Sequence, residues 1–221
     1  MMINSVSEWQ PPDGQPGRGR LIGTERGDIQ AILHEDGATR RAIVWVWGIR
    51  GGFDGPAESI YRSMSEELKG EIASLRVNYR HPTEFDECVY DTLAGVAYLD
   101  SAGYDNLALI GHSLGGAVVI SAAPRSPHVK AVVALSSQTL GARDVADVSP
   151  RPLLLVHGAN DRNLPVECSQ AIYEWAREPK ELVIYHGAGH GLRQCKDEVH
   201  ELLRGWLTEK LQNDQEEGPD A

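Results

Sequence analysis

The segment Gly111-His112-Ser113-Leu114-Gly115-Gly116 sets a serine between glycines, after the apolar run Leu107-Ala108-Leu109-Ile110 and before the small-residue stretch Leu114 to Ala123. A G-x-S-x-G pattern between a strand and a helix suits a sharp turn that lifts a hydroxyl above a sheet edge, with glycines allowing the close backbone approach. A serine hydroxyl is a poor nucleophile until a base takes its proton. Among the eight histidines, His190 lies in Gly189-His190-Gly191-Leu192, between the last apolar strand and the last helix, where a side chain in a turn can reach that hydroxyl. The base needs an acid to fix its tautomer. Asp161, in His157-Gly158-Ala159-Asn160-Asp161-Arg162, directly follows another strand and is the expected acid. Asp144 and Asp91 are rival carboxylates, weaker on position. His112 is expected to point away from the site, and His157 is read as structural.

A developing oxyanion also needs donors. The N–H of Leu114, next to the nucleophile, is one expected donor. The N–H of Ile49 is the other, in the glycine-rich loop Gly48-Ile49-Arg50-Gly51-Gly52-Phe53-Asp54-Gly55-Pro56. That loop has no G-x-x-x-x-G-K-[ST] pattern and no lysine, so it does not read as a phosphate cradle. Arg50, Phe53, Arg80, Gln138 and Leu192 fall in loops near the same edge and are the expected substrate-binding rim.

The elements that must position these residues alternate. A hairpin is expected over Leu21 to Leu33. Strands are expected at Ala42–Trp47, Ile72–Asn78, Leu107–Ile110, Val129–Leu135, Pro152–Val156 and Leu182–Tyr185. Helices are expected at Ala57–Lys69, Phe85–Ser101, Leu114–Ala123, Pro165–Arg177 and Cys195–Leu211. Strands apolar on both faces, separated by helices, imply a mostly parallel sheet in a three-layer α/β/α sandwich. In such sheets the chemistry gathers at the carboxyl edge of the strands, and Ser113, Asp161 and His190 each come after a strand. Met1 to Arg20, rich in Pro and Gly, reads as a flexible arm. Residues 21–212 read as the single domain and residues 213–221 as a disordered acidic tail.

On these residues the chain resembles the α/β-hydrolase superfamily, in particular the small dienelactone hydrolase-like esterases. The order Ser113, Asp161, His190 is that of the superfamily triad. The resemblance runs from about Ala42 to Leu211 and includes the serine turn, His157-Gly158-Ala159-Asn160-Asp161, Gly189-His190-Gly191 and Arg76-Val77-Asn78-Tyr79-Arg80. Two departures stand out. Trp47-Gly48 replaces a frequent His-Gly before the oxyanion loop. Ser113 stands where dienelactone hydrolases proper use cysteine. The resemblance therefore implies a serine ester or thioester hydrolase rather than a dienelactone hydrolase in the strict sense. Members with a cap insert it after the strand that comes next to the nucleophile helix in the chain. Here that connection, Ser136 to Arg151, is 16 residues long, so no cap domain is expected.

Composition limits the partners. The 221 residues carry a formal net charge of −11. Four of those charges, Asp214, Glu216, Glu217 and Asp220, lie in the final nine residues. An acidic chain repels phosphate polymers and anionic lipid, so neither nucleic acid nor membrane is an expected partner. The expected partner is a small-molecule ester or thioester. Three cysteines, Cys88, Cys168 and Cys195, read as free thiols of a cytoplasmic protein, and no ligand spacing suggests a metal or other cofactor. The sequence leaves open a catalytically silent receptor or scaffold on the same fold. It equally leaves open acyltransferase, peptidase and C–C hydrolase chemistry, which share the triad, as well as the oligomeric state.

Overall fold

A computed structural model describes residues 3–212. Nine strands form one sheet: β1 (Ile3–Glu8), β2 (Arg18–Thr24), β3 (Gly27–His34), β4 (Arg41–Val46), β5 (Ala73–Asn78), β6 (Asn106–His112), β7 (Val129–Leu135), β8 (Leu153–Gly158) and β9 (Lys180–Tyr185). Their order across the sheet is β1-β2-β3-β5-β4-β6-β7-β8-β9. The three N-terminal strands are antiparallel, and β3 joins β5 antiparallel. From β5 onward all pairings are parallel. The mostly parallel sandwich is thus an α/β-hydrolase fold, with an antiparallel wing on one side.

Five helices cover the sheet: α1 (Pro56–Leu68), α2 (Phe85–Ser101), α3 (Leu114–Ala122), α4 (Glu167–Trp175) and α5 (Lys196–Lys210). Side chains alternate across each strand, which splits the core in two. Ile43 and Trp45 of β4 face Ile60, Met64 and Leu68 of α1 and Val199, Leu203 and Leu207 of α5. Ala42, Val44 and Val46 face the layer of Cys88 and Leu99 from α2, Ala117 to Ile120 from α3 and Ile172 from α4. Both sets are essentially solvent-free, as expected of strands apolar on both faces. Among the described residues no helix is long and apolar enough to cross a membrane.

The structure corrects the flexible arm expected over Met1–Arg20. Residues Ile3–Glu8 are the edge strand β1, paired with β2, whose first residue is Arg18. The intervening turn is tied down by Trp9 Nε1–H donating to the carbonyl of Ala31 at 3.2 Å. Hydrogen bonding along an available edge orders a stretch that has too few apolar side chains to advertise itself. The start of α1 also differs from a simple helix. Ala57, Glu58 and Ser59 have φ of 48°, 57° and 74°, a left-handed turn before the right-handed helix, costly for residues with a Cβ. The acidic tail, residues 213–221, lies outside the described residues.

Candidate active site

Ser113 sits on a strained turn between β6 and α3, with φ 59° and ψ −118°. Such a conformation costs of order 1–3 kcal/mol and persists only where the surroundings enforce it. The enforcement is steric. A Cβ at Gly111 would land on the carbonyl of Gly115, and one at Gly115 on the carbonyl of Trp47. Only glycine at both positions lets α3 begin this close to β6 and to the loop after β4. That closeness also brings Gly48 against the nucleophile position: a Cβ there would lie 3.1 Å from Ser113 Cβ. Ser113 N–H donates to the carbonyl of Leu135 at 2.9 Å, which ties the turn to β7.

Asp161 and His190 meet. His190 Nδ1–H donates to Asp161 Oδ2 at 2.7 Å, with the Asp161 side chain fully buried and that of His190 19% exposed. The carboxylate is held from several sides. The N–H groups of Asn163 and Leu164 donate to Oδ1 at 2.8 and 3.0 Å, and His157 Nε2 lies 3.2 Å from Oδ2. Burial opposes ionisation of Asp161, but the N–H of Leu164, the His190 ring and the N–H of Asn163 outweigh it and hold the carboxyl below its ordinary value. A carboxylate on Nδ1 leaves the Nε2 lone pair of His190 free to take a proton.

Two other histidines support this pair. His157, buried, lies 2.7 Å from Ser169 Oγ through Nδ1 and 3.0 Å from the carbonyl of Leu164 through Nε2. Its structural role is therefore to fix the Asp161 loop. His112, contrary to the expectation that it points away from the site, packs against His190 with ring centroids 4.7 Å apart. His112 Nε2 is 2.8 Å from the carbonyl of His190, which accepts the bond. Burial lowers the pKa of His112 to about 4, only partly countered by that bond, so it is neutral at pH 7. Nothing in the sequence spacing links these two residues; the adjacency of His112 to the serine is the one available signal. On the opposite side, Ala57 N–H donates to the carbonyl of Gly191 at 2.7 Å. The left-handed turn of α1 thus braces the His190 loop.

The five residues expected along a rim differ in exposure. Arg50 is exposed and Gln138 partly so, its Nε2–H donating to the carbonyl of Leu140. Ile49 is 58% exposed, beside Gly48. Three expected rim residues are elsewhere. Phe53 is buried beside Trp9, ring centroids 6.1 Å apart. Leu192 is fully buried in the core under α5, in a left-handed conformation at φ 53° that the short Gly191-Leu192 turn requires. Arg80 turns back onto the fold: its Nε–H donates to Asp91 Oδ1 at 2.7 Å and Nη2 to Glu87 Oε2 at 2.7 Å. The rival acid Asp91 is consumed by that pair. Asp144 is exposed beside a short 3-10 turn, Val145–Val148, and bonds neither histidine.

A parallel sheet with a strained Ser turn, a buried Asp and a partly exposed His at one edge defines the α/β-hydrolase class. The chain belongs to the dienelactone hydrolase family, whose model matches residues 52–208, and is thus a member of a hydrolase family. The uncharacterized protein YfhR of Escherichia coli (strain K12) is 30% identical over 107 residues, 38% of each chain, so this chain spans well under half of that relative's length. Est1E from Butyrivibrio proteoclasticus has the same fold, with a TM-score of 0.74 at 20% identity over 87% of this chain and 98% of that one. A second structure of that protein, with ferulic acid bound, gives 0.69 at 21% over 83% and 95%. The esterase domain of a Rhodothermus marinus protein gives 0.68 at 21% over 96% and 100%.

Proposed function

We propose that the protein is a serine hydrolase that cleaves a carboxylic ester or thioester through an acyl-enzyme on Ser113. The observation that carries this reading is the 2.7 Å bond from His190 Nδ1 to the buried Asp161 carboxylate, at the sheet edge where β6 delivers Ser113. In this mechanism His190 Nε2 takes the Ser113 proton as Oγ attacks the carbonyl carbon, then returns it to the leaving alkoxide or thiolate. Asp161 stabilises the imidazolium that forms in between. The N–H groups of Leu114 and Ile49 bind the oxyanion. Water, deprotonated by the same histidine, releases the acid and restores the serine.

The connection from Ser136 to Arg151 is too short to cover the site, so the reading is of an open cleft that takes exposed ester groups. Est1E, similar in fold, binds ferulic acid. Aryl and short alkyl esters are therefore the first substrates to test, with Arg50, Gln138 and the Ile49 side chain along the rim. A fluorophosphonate probe tests the mechanism. The intact chain is expected to be labelled at Ser113, and Ser113→Ala to be unlabelled. A folded chain that never reacts would instead support the silent receptor.

A further inference from the structure

The loop after β4 is poorly suited to hold its own shape. Gly51, Gly52 and Gly55 have φ of 64°, 96° and 75°, and glycine there leaves wide conformational freedom. Yet an N–H in this loop can stabilise charge beside Ser113 only if it is preorganised. Gly51 N–H donates to the carbonyl of Gly48 at 2.9 Å within the loop, Gly52 N–H donates to Asn78 Oδ1 at 2.6 Å, and Tyr61 N–H donates to the carbonyl of Asp54 at 3.1 Å. A further set of tethers, at Phe53 and Asp54, leads to one buried side chain.

Arg76 lies mid-strand in β5, opposite Trp45 on one side and Ile32 on the other, and is fully buried. Its bonds go to neutral acceptors from three separate segments. Nε–H donates to His34 Nε2 at 3.0 Å. Nη1 donates to Gln15 Oε1 at 2.7 Å and to the carbonyl of Phe53 at 3.3 Å. Nη2 donates to the carbonyl of Pro16 at 2.9 Å. Gln15 continues the chain of contacts, its Nε2–H donating to Asp54 Oδ1 at 2.8 Å. Phe53 and Asp54, adjacent residues of the glycine-rich loop, are thus fastened to the N-terminal segment through Arg76 and Gln15. Trp9 packs on Phe53 from the same segment, and Arg62 Nη1 donates to the carbonyl of Gly14 at 3.1 Å.

A buried cation bonded to neutral groups is a poor way to gain stability, since apolar side chains of similar volume commonly do as well or better. What the guanidinium supplies is a planar fork that reaches several acceptors at once. We propose that Arg76 and Gln15 are positioning residues for the loop Gly48–Gly55, and that the N-terminal segment is a strap that keeps this loop ready for the oxyanion. The proposal rests on the hydrolase reading above. In it Ile49 is the oxyanion donor, four and five residues before the tethered Phe53 and Asp54.

The test uses the full chain and the variants Arg76→Met, Arg76→Lys and Gln15→Ala. Two readouts are measured: kcat and KM for p-nitrophenyl acetate per fluorophosphonate-titrated site, and hydrogen exchange at the Gly51 and Gly52 amides. Arg76→Met and Gln15→Ala are expected to lower kcat about 10- to 100-fold, as small misplacements of catalytic groups do. KM should stay within about twofold and the two amides should exchange faster. Arg76→Lys should recover little, because an ammonium cannot span the fork. A kcat per titrated site equal to wild type in Gln15→Ala, with unchanged exchange, overturns the proposal, and this variant decides alone if Arg76→Met does not fold. A wild-type chain that neither labels nor cleaves esters overturns the hydrolase reading and this proposal together.

Discussion

His112 and His190 are joined through backbone and ring at once: the ring of His112 packs, tilted by 49°, with its centroid 4.7 Å from that of His190, and donates to its carbonyl oxygen at 2.8 Å. Asp161 fixes the far side of the same imidazole, so the proposed base is held from two directions. His112→Phe keeps the ring packing and removes the donor. It is expected to lower kcat/KM about 10-fold and stability by about 1–3 kcal/mol, the cost of leaving the carbonyl without its partner. Ester kinetics and urea denaturation check the two figures.

Replacement of the proposed triad should separate chemistry from folding. Ser113→Ala is expected to lower kcat on the order of 10⁶-fold and Asp161→Asn about 10⁴-fold. The asparagine still offers an oxygen to the N–H groups of Asn163 and Leu164, so the chain should fold, with its melting temperature lowered by the loss of the carboxylate's stabilising charge. Turnover in Ser113→Ala close to wild type would remove the serine from the mechanism.

The pair of Arg80 and Asp91 separates a structural role from a rim role. Asp91 is fully buried, and burial raises its pKa against the N–H bonds and charge of Arg80. Arg80→Met leaves that carboxylate unpaired and should cost about 3–5 kcal/mol of stability. Per folded molecule, kcat and KM should match wild type. A selective rise in KM would return Arg80 to the substrate rim.

Acid should weaken the fold in a defined window. Burial lowers both His112 and His34 from 6.5 to about 4, with the charge of Arg76 adding to the effect at His34. As pH falls below 6.5 the unfolded chain takes up protons that the folded chain refuses, so stability declines until about pH 4. Each histidine contributes on the order of 3 kcal/mol to this loss. The lowered Asp161 carboxyl adds to it at lower pH still, since its stabilising charge disappears as pH falls through its folded value. Urea midpoints between pH 7 and 4 measure the slope, and His112→Phe should flatten part of it.

The parts legible in the sequence are those with a strong local signal. The helix Phe85–Ser101 and the strand Val129–Leu135 occupy the residues expected of them, because sustained apolar patterns set their limits. β1 escapes such a reading for the opposite reason: Ile3-Asn4-Ser5-Val6-Ser7-Glu8 is mostly polar and exposed, and only the free edge of β2 makes it a strand. Spacing after each strand points to Asp161 and His190, and their bond is a matter of geometry that the sequence can only anticipate. The positions of Phe53, Arg80 and Leu192 are not legible. Whether a loop side chain turns outward or inward depends on partners distant in sequence: Trp9 for Phe53, the α5 core for Leu192, and Asp91 on the next helix for Arg80. The left-handed turn at Ala57–Ser59 has no local cause, since none of the three residues favours it. What accompanies it is a contact distant in sequence, the bond from Ala57 N–H to the carbonyl of Gly191.

The short connection between β7 and β8 also marks where this scaffold can be extended. Arg143 and Asp144 are exposed side by side, while Val145 and Val148 just beyond are buried and anchor the approach to β8. Insertions succeed at such exposed points and fail where backbone is packed. A helical hairpin grafted between Arg143 and Asp144 would start from the carboxyl edge and leave the anchors in place. Selectivity could then be built by laboratory selection on the grafted segment while the strained serine turn and its glycines are left untouched.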